Sequence, residues 1–144
     1  MGKFYRDANH LFEIHGAFWD RLLRDEKIGA RMAAHKLIFK LLYNDPDCEI
    51  TLDLKNPPTK PGYFGTCHLG ACELKPDAWS KQSADHSHRF WHGLENPGES
   101  VAKGRVTQGG NVVAMLKFLP DLKPAFQVFP SVLGDLGYQK MIIK

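Results

Sequence analysis

The order of helical and strand patterns along the 144-residue chain predicts an α+β fold, with helices laid on one face of a mostly antiparallel sheet. Two helical patterns come first, four strand patterns follow, and two more helices precede a fifth strand and a final pair of apolar helices. A chain of this length can bury one continuous core without disulfides or metal, so we expect residues 1–144 to form a single domain.

The first helix is predicted from apolar residues that recur at spacings of three and four, beginning at Asn9. These residues are Leu11, Phe12, His15, Phe18, Trp19, Leu22 and Leu23. Charged residues fall largely on the other side, so the pattern indicates one core-facing surface. A weaker helical pattern follows from Asp25 to about Ala34.

The sheet is predicted to begin with two adjacent strands. Residues 37–43 are rich in bulky apolar side chains, and residues 50–54 alternate apolar with polar side chains. The turn-prone linker 44–47 is short enough to demand antiparallel pairing of these strands. A proline-rich loop follows, and residues 63–69 and 78–82 are predicted to form the third and fourth strands.

Two helices with clear starting signals are predicted next. Ser83 is a good cap for a helix that runs to about His92 and ends at a glycine. Asn96 and Pro97 begin the second helix with a cap and a first-turn proline, and Gly104 closes it.

A fifth strand at 105–108 leads into the most apolar helix of the chain, predicted at 112–119. Gly109 and Gly110 suit the turn between them, and Asn111 can cap the helix. A single lysine interrupts its apolar surface, and a helix that is apolar all round is expected to be buried on several sides.

Prolines divide the apolar region that follows. Pro120 is expected to end the helix at 112–119, and Asp121 to cap a second short helix with Pro124 in its first turn. Two short apolar helices separated in this way pack less rigidly than one long helix. They are suited to form a hinged wall over a cavity.

The wall of that cavity is expected on one face of the helix at 112–119, where Val112, Leu116 and Leu119 lie together. Three apolar residues continue this face beyond Pro120, and two aromatic residues of an earlier helix are expected to help close the cavity. The expected ligand-binding residues are Phe90, Trp91, Val112, Met115, Leu116, Leu119, Leu122, Phe126 and Phe129.

Composition and charge argue against several functional classes. The net charge is only +3, and the 19 Lys and Arg residues are spread without a basic run, so no nucleic-acid surface is expected. No apolar run approaches the length of a membrane span. The three cysteines are an odd number in a sequence without a secretory signal, which predicts reduced thiols and a cytoplasmic location.

The candidate metal ligands are His86, His88 and His92. On a helix His88 and His92 share a face at a spacing suitable for one metal ion, whereas His86 diverges from them. Histidines on the surface of an amphipathic helix are the favoured interpretation, so no metal and no other cofactor are expected. A metal-dependent enzyme built on this cluster is kept as an alternative.

The sequence contains no identifiable catalytic constellation. Gly104 and Gly109 have the separation of a phosphate-binding loop, but Gly110 and Asn111 stand where Lys and Ser or Thr would be required. A Gly-x-Ser-x-Gly nucleophile elbow is also missing from the sequence. We therefore expect a binding protein without chemistry of its own.

The segment 83–96, SADHSHRFWHGLEN, and the following VAKGRVTQGGNVVAMLKFLPDLKPAF together resemble the second half of the sterol carrier protein type 2 domain family, also called non-specific lipid-transfer proteins. The resemblance covers about a third of the chain. It implies a five-stranded sheet covered by helices, enclosing a tunnel for fatty acyl chains, acyl-coenzyme A, sterols or isoprenoids. The proline-rich loop 56–61 and the extra glycine at 109 or 110 depart from the family pattern.

The residues and the resemblance together predict a protein that carries or presents a hydrophobic ligand in an internal apolar cavity. Its expected partner is a lipid or another hydrophobic small molecule, with transient membrane contact and an unspecified protein partner also allowed. The first alternative is an accessory subunit or small enzyme that acts on a lipid-like substrate.

Overall fold

A computed structural model of the protein describes residues 2–144, which form one five-stranded sheet and six α-helices. The strands are β1 at Ile38–Asn44, β2 at Cys48–Asp53, β3 at Thr66–Leu69, β4 at Ala78–Ser83 and β5 at Val106–Gly110. The helices are α1 at Ala8–Arg24, α2 at Ile28–Ala33, α3 at Ala84–Phe90, α4 at Pro97–Ala102, α5 at Val112–Phe118 and α6 at Ala125–Asp135. Short 3₁₀ turns occupy Leu119–Leu122 and Gln139–Met141.

The sheet has the strand order β3-β2-β1-β4-β5, and it is mixed. The β1–β2, β2–β3 and β4–β5 pairs are antiparallel, whereas β1 and β4 are parallel. The predicted α+β class and the antiparallel β1–β2 pair are therefore confirmed. The parallel pair requires the chain to cross the sheet between β3 and β4, and Lys40 Nζ on β1 donates a hydrogen bond to the Cys72 carbonyl in this crossing segment, at 3.2 Å.

The two faces of the sheet differ in chemistry. Phe39 pairs with Leu52 and Leu41 pairs with Ile50, so these four apolar side chains share the inner face, where they join the buried core. Trp79 lies on the outer face. It pairs with Lys40 of β1, whose side chain reaches the crossing segment on that face, and paired residues of neighbouring strands point to the same face. The helices that complete the core cover the inner face.

Helix α1 forms the centre of the helical layer. The Asp7 carboxylate accepts a hydrogen bond from the His10 amide at 2.8 Å and so caps its first turn. The Phe18 ring lies 4.9 Å from Trp91, at the end of α3, and 5.0 Å from Phe129 of α6, measured between ring centroids. Phe18 is among the buried residues of α1, which confirms that this side of the helix faces the core.

The segment after α5 differs from the prediction. The chain continues through Pro120 as a 3₁₀ turn, and the next helix, α6, is eleven residues long with Pro130 inside it. Asp121 caps no helix. Its carboxylate instead lies 2.6 Å from His35 Nε2, which ties the turn to the end of α2.

The strand that precedes α5 extends two residues further than predicted. Gly109 belongs to β5, where a Cβ atom would lie 2.6 Å from the indole ring of Trp79, so only glycine fits beneath this ring. Gly110 is the last residue of β5, and its φ of +74° turns the chain toward α5. Asn111 caps α5 as predicted, since its side-chain oxygen accepts a hydrogen bond from the Ala114 amide at 3.0 Å.

Among the described residues, no helix combines the length and the apolar character that crossing a membrane would require.

Candidate ligand-binding site

An apolar pocket of about 80 Å³ lies between the inner face of the sheet and the helical layer formed by α3, α4, α5 and the turn Leu119–Leu122. Strands β1, β2, β4 and β5 form its floor. Its lining residues are Trp19, Phe39, Leu41, Leu52, Ser80, Gln82, Phe90, Trp91, Pro97, Ser100, Val101, Val106, Gln108, Met115, Phe118, Leu119 and Leu122.

The roof of the pocket is made by α5 and the turn that follows it. Met115 and Phe118 lie one turn apart on the inner side of α5, and Leu122 continues this buried surface. The Phe118 ring faces Phe39 on the sheet, with 6.0 Å between the ring centroids. This roof is therefore packed directly onto the floor.

Five of the nine residues expected to bind the ligand line the pocket. These five are Phe90, Trp91, Met115, Leu119 and Leu122. Phe126 lies on an outer groove instead, and Phe129 is buried against Phe18 in the core. Val112 is half-buried and lies outside the lining of the pocket.

The expectation that α5 is buried on all sides is wrong. Leu116 is 59% exposed and Val113 is 63% exposed, so this helix buries only the side that carries Met115 and Phe118. The reason is that one side of α5 faces the sheet, while within residues 2–144 no helix or strand covers the opposite side. The face predicted to line the cavity thus points toward solvent at Leu116.

An open groove of about 760 Å³ adjoins the pocket on the outer side of the roof. Leu116 lines this groove, together with the charged side chains of Arg105 and Lys123. Phe90, Pro97 and Leu119 line both the groove and the pocket, so the two are neighbours across these side chains. The pocket and the groove thus share part of one wall.

The polar groups of the pocket are uncharged. Ser80 and Gln82 lie on β4, Gln108 lies on β5 beside Ser80, and Ser100 faces them from α4. Among the residues that the structure describes, none of those lining the pocket carries a charge. The pocket thus has one end that can form hydrogen bonds with a ligand but offers no ion pair.

Ser100 is also part of a polar array behind the pocket. The Ser100 hydroxyl lies 3.0 Å from His86 Nε2, and His86 Nδ1 lies 4.0 Å from a Glu95 carboxylate oxygen. Glu95 is held in turn by Arg89 at 2.9 Å and by Arg105 at 3.6 Å. Sequence reasoning missed this array because Ser100 and His86 are 14 residues apart, on two different helices. The capped starts of α3 and α4 place His86 and Ser100 on helices, but no local pattern shows that the two helices meet.

A second polar cluster is buried beneath α1. The Tyr5 hydroxyl lies 2.9 Å from both His15 Nε2 and His88 Nδ1, and His88 Nε2 lies 2.7 Å from the Met141 carbonyl. Because a carbonyl only accepts, His88 carries its proton on Nε2, Tyr5 donates to Nδ1, and His15 donates to Tyr5. Burial lowers the pKa of His15 to about 3 and that of His88 to about 4.

The histidines considered as metal ligands are committed to other contacts. His86 and His88 are buried, so the expectation that they lie on a helix surface is wrong. His92 donates from Nδ1 to the His88 carbonyl and accepts at Nε2 from the Ile143 amide. Within residues 2–144 no group of three or more His, Cys, Asp or Glu side chains is arranged to hold a metal ion.

A larger depression, of about 360 Å³, lies between α1 and the edge strand β3. Its walls include Phe12 and Leu69, but Asp20, Lys60 and Tyr63 give it a polar rim. We take the smaller pocket as the candidate ligand site because it borders the apolar core and its lining is uncharged.

No protein-family model matches the sequence, and no curated protein matches it significantly. The fold does have counterparts among solved structures. The sterol carrier protein domain 2 of Helicoverpa armigera aligns with a TM-score of 0.64 and 16% identity, covering 81% of this chain and 88% of that domain. Sterol carrier protein 2 from Yarrowia lipolytica aligns with a TM-score of 0.61 and 17% identity, covering 87% of this chain and 95% of that protein.

The same fold also occurs inside a larger enzyme. The stereoselective inverting sec-alkylsulfatase Pisa1 from Pseudomonas sp. aligns with a TM-score of 0.54 and 18% identity over 70% of this chain. The present chain spans only 15% of the length of that alkylsulfatase. At these identities the comparisons establish architecture and leave function to the site. The protein therefore adopts the sterol carrier protein 2 fold.

Proposed function

We propose that the protein is a single lipid-binding domain that carries or presents a long-chain hydrophobic ligand in the pocket beneath α5. The observation that carries this proposal is an uncharged pocket lined by Trp91, Met115 and other core side chains, in a fold shared with sterol carrier proteins. Fatty acids, fatty acyl-coenzyme A, sterols and isoprenoids are the candidate ligand classes.

The pocket must enlarge to accept such a ligand. Ligand pockets usually measure about 300–1,000 Å³, whereas this one measures about 80 Å³. The roof is the part suited to move, because α5 is exposed on its outer side and is followed by the proline-containing turn Leu119–Leu122. When the roof lifts, the ligand chain replaces the sheet as the apolar contact of Met115 and Phe118.

The expected affinity follows from the apolar surface that the ligand buries. Burying ten to twelve methylene groups at about 0.8 kcal/mol each gives roughly 8–10 kcal/mol before the costs of association. Those costs and the work of lifting the roof are subtracted from this total, so we expect a dissociation constant of about 1 μM or weaker.

The polar end of the pocket favours an uncharged head group. Gln82, Ser100 and Gln108 can form hydrogen bonds with an alcohol, ester or ketone. A carboxylate would lose its hydration without gaining a cation from the lining, which is costly in an apolar site. We therefore expect hexadecanol or a fatty ester to bind more tightly than palmitate.

Presentation of the ligand to a partner enzyme is the second candidate. The open groove beside the pocket supports it, because Leu116 and Phe126 give that groove an exposed apolar surface close to the pocket. In this version the lipid remains in the pocket until a partner protein, or transiently a membrane, covers the groove.

Tryptophan fluorescence tests the proposal. Trp19 and Trp91 line the pocket, whereas Trp79 lies on the outer face of the sheet. Titration with hexadecanol should change the emission of the wild type and of Trp79→Phe by the same absolute amount, and Trp91→Phe should lose much of the change. If hexadecanol, palmitate, palmitoyl-coenzyme A and cholesterol all leave both the emission and the melting temperature unchanged, the binding proposal fails.

A further inference from the structure

The array of Ser100, His86 and Glu95 has the arrangement of a nucleophile, a base and a carboxylate that positions the base. Ser100 and His86 are each only 2% exposed, and their side chains are 3.0 Å apart. Ser100 lies on the pocket wall, whereas His86 is outside the pocket lining and Glu95 lines the outer groove. Ser100 therefore borders both the imidazole and the space where a ligand would lie.

The electrostatics of the array fix the proton on His86. Nδ1 has no hydrogen-bond partner among the described residues and faces a Glu95 oxygen at 4.0 Å. A proton on Nδ1 is attracted by this carboxylate, whereas a bare lone pair there would be repelled by it. Nε2 is then the acceptor, and the Ser100 hydroxyl donates to it. This is the tautomer in which histidine can remove a proton from serine.

The carboxylate is held in place from its other side. Arg89 Nε lies 2.9 Å from one Glu95 oxygen, and Arg105 lies 3.6 Å from the oxygen that faces His86. Burial lowers the pKa of His86, and Glu95 opposes that shift. A neutral imidazole at pH 7 is the form that acts as a base.

The pocket supplies the other parts that acyl transfer requires. The side-chain amides of Gln82 and Gln108 line the same pocket as Ser100, and an amide NH₂ can donate a hydrogen bond to a developing oxyanion. The apolar walls formed by Met115 and Phe118 accept an acyl chain. A fatty ester with its carbonyl at the polar end would place that carbonyl next to Ser100.

We propose that Ser100, His86 and Glu95 hydrolyse uncharged fatty acyl esters bound in the pocket, with Ser100 as nucleophile, His86 as general base and Glu95 as positioning residue. This proposal rests on the proposed ligand site. The Ser100 oxygen attacks the ester carbonyl while its proton passes to His86 Nε2. The bond between the carbonyl carbon and the alkoxy oxygen breaks, and the proton leaves with the alcohol.

Water completes the reaction. A water molecule attacks the acyl-serine and gives one proton to His86, the bond between the acyl carbon and Ser100 breaks, and the serine oxygen takes that proton back. The products are a fatty acid and an alcohol, and no oxidant or metal takes part. Water reaches the buried Ser100 only when the roof of the pocket lifts, so turnover is slow.

Covalent labelling of the wild type is the first test, because it needs no variant to fold. A long-chain fluorophosphonate should add one label per protein molecule, and peptide mass spectrometry should place the label on Ser100. Ser100→Ala should abolish labelling. Ser131→Ala, which removes an exposed serine on α6, should label like the wild type. Labelling of another serine, or of none, overturns the proposal.

Hydrolysis of p-nitrophenyl decanoate is the second test. Ser100→Ala should lower kcat/KM about 100-fold or more, since general acid–base catalysis alone contributes about 100-fold to 10,000-fold and the variant also removes the nucleophile. If Ser100→Ala hydrolyses the ester with the kcat/KM of the wild type, the assignment of Ser100 as nucleophile is refuted. If that variant still binds hexadecanol, the proposed binding function stands whatever the outcome of the kinetic comparison.

A pH profile distinguishes positioning by Glu95 from a structural role. The rate rises with pH as His86 loses its proton, and the Glu95 carboxylate raises the pKa of His86 against the effect of burial. Glu95→Gln should therefore move the acidic limb of the profile to lower pH and lower kcat about tenfold. A rate lowered at all pH values without movement of this limb would show that Glu95 has only a structural role.

Discussion

Adjacent residues of α5 provide a sharp test of which side of this helix meets the ligand. Met115 is 4% exposed and lines the pocket, whereas Leu116 is 59% exposed and lines the outer groove. The same substitution at the two positions, Met115→Glu and Leu116→Glu, places the same charge on opposite sides of the roof. The pair is matched in chain position and helix.

The two variants should differ in stability by several kcal/mol. An unpaired buried carboxylate costs about 3–5 kcal/mol, and the uncharged lining of the pocket offers Met115→Glu no partner. Lifting of the roof hydrates the charge and reduces the cost, so we expect a loss of about 3 kcal/mol. Leu116→Glu should change the unfolding free energy by less than about 0.5 kcal/mol, as exposed substitutions usually do.

Urea unfolding and hexadecanol titration measure the two effects. Met115→Glu should weaken binding at least about tenfold, which corresponds to 1.4 kcal/mol, and Leu116→Glu should remain within about threefold of the wild type. Met115→Gln, uncharged and close in size, keeps the comparison usable if the glutamate variant does not fold. Equal losses of binding in the Met115 and Leu116 variants would refute the assignment of the inner side of α5 to the ligand.

Three further predictions follow from buried histidines, glycine geometry and metal contacts. Burial lowers the pKa of His15 to about 3 and of His88 to about 4, so as the pH falls the two histidines take up protons in the unfolded state before they do in the folded state. The free energy of unfolding should therefore fall by about 1.4 kcal/mol per pH unit for each histidine as the pH drops below about 6.5. Urea midpoints between pH 7 and pH 4.5 check this, and a flat profile would contradict it. Gly110→Ala should lower the free energy of unfolding by about 1–3 kcal/mol, because the φ of Gly110 is +74° and a Cβ atom there would clash with the Asp77 carbonyl oxygen. Gly98→Ala is the control. Its Cβ atom would meet only a side-chain oxygen at 3.5 Å, so this variant should stabilise α4 by about 0.5 kcal/mol. Chelation with EDTA should leave the melting temperature unchanged, and a drop that zinc reverses would restore the metal alternative.

Local signals in the sequence predicted most of the elements. Caps such as Ser83 and Asn96 are short-range hydrogen bonds, so residue type and spacing are enough to find them. The strand patterns at β1 and β2 were equally clear, because β1 is mostly apolar and β2 alternates apolar with polar residues. The boundaries differed where tertiary contacts decide them, as at Gly109 beneath the Trp79 ring.

Only part of the candidate site could be predicted from the sequence, because tertiary contacts decide which residues face the pocket. The apolar character of α5 pointed to the helix that forms the roof of the pocket, but composition alone does not say which side of a helix the fold covers. Met115 and Leu116 are both apolar. Only the position of the sheet makes Met115 a wall of the pocket and Leu116 a surface residue. The Asp121–His35 contact likewise joins distant parts of the chain, so Asp121 resembled an ordinary helix cap in the sequence.

The polar arrays depended wholly on tertiary structure. Ser100, His86 and Glu95 meet only because α3 and α4 fold against each other. His88 is buried because the chain near Met141 returns to supply a carbonyl acceptor. The periodicity of α3 indicated neither the contact of His86 with Ser100 nor that of His88 with the Met141 carbonyl, since Ser100 and Met141 lie outside that helix.

Photocrosslinking with a diazirine-bearing hexadecanol tests the central claim most directly. The pocket beneath α5 is about 80 Å³ when closed, and the depression beside β3 is about 360 Å³. If the ligand lifts the roof, peptide mapping should place the crosslinks on Trp91, Met115 or Leu119. Crosslinks confined to Phe12 and Leu69, between α1 and β3, would contradict the account and place the ligand in the larger depression.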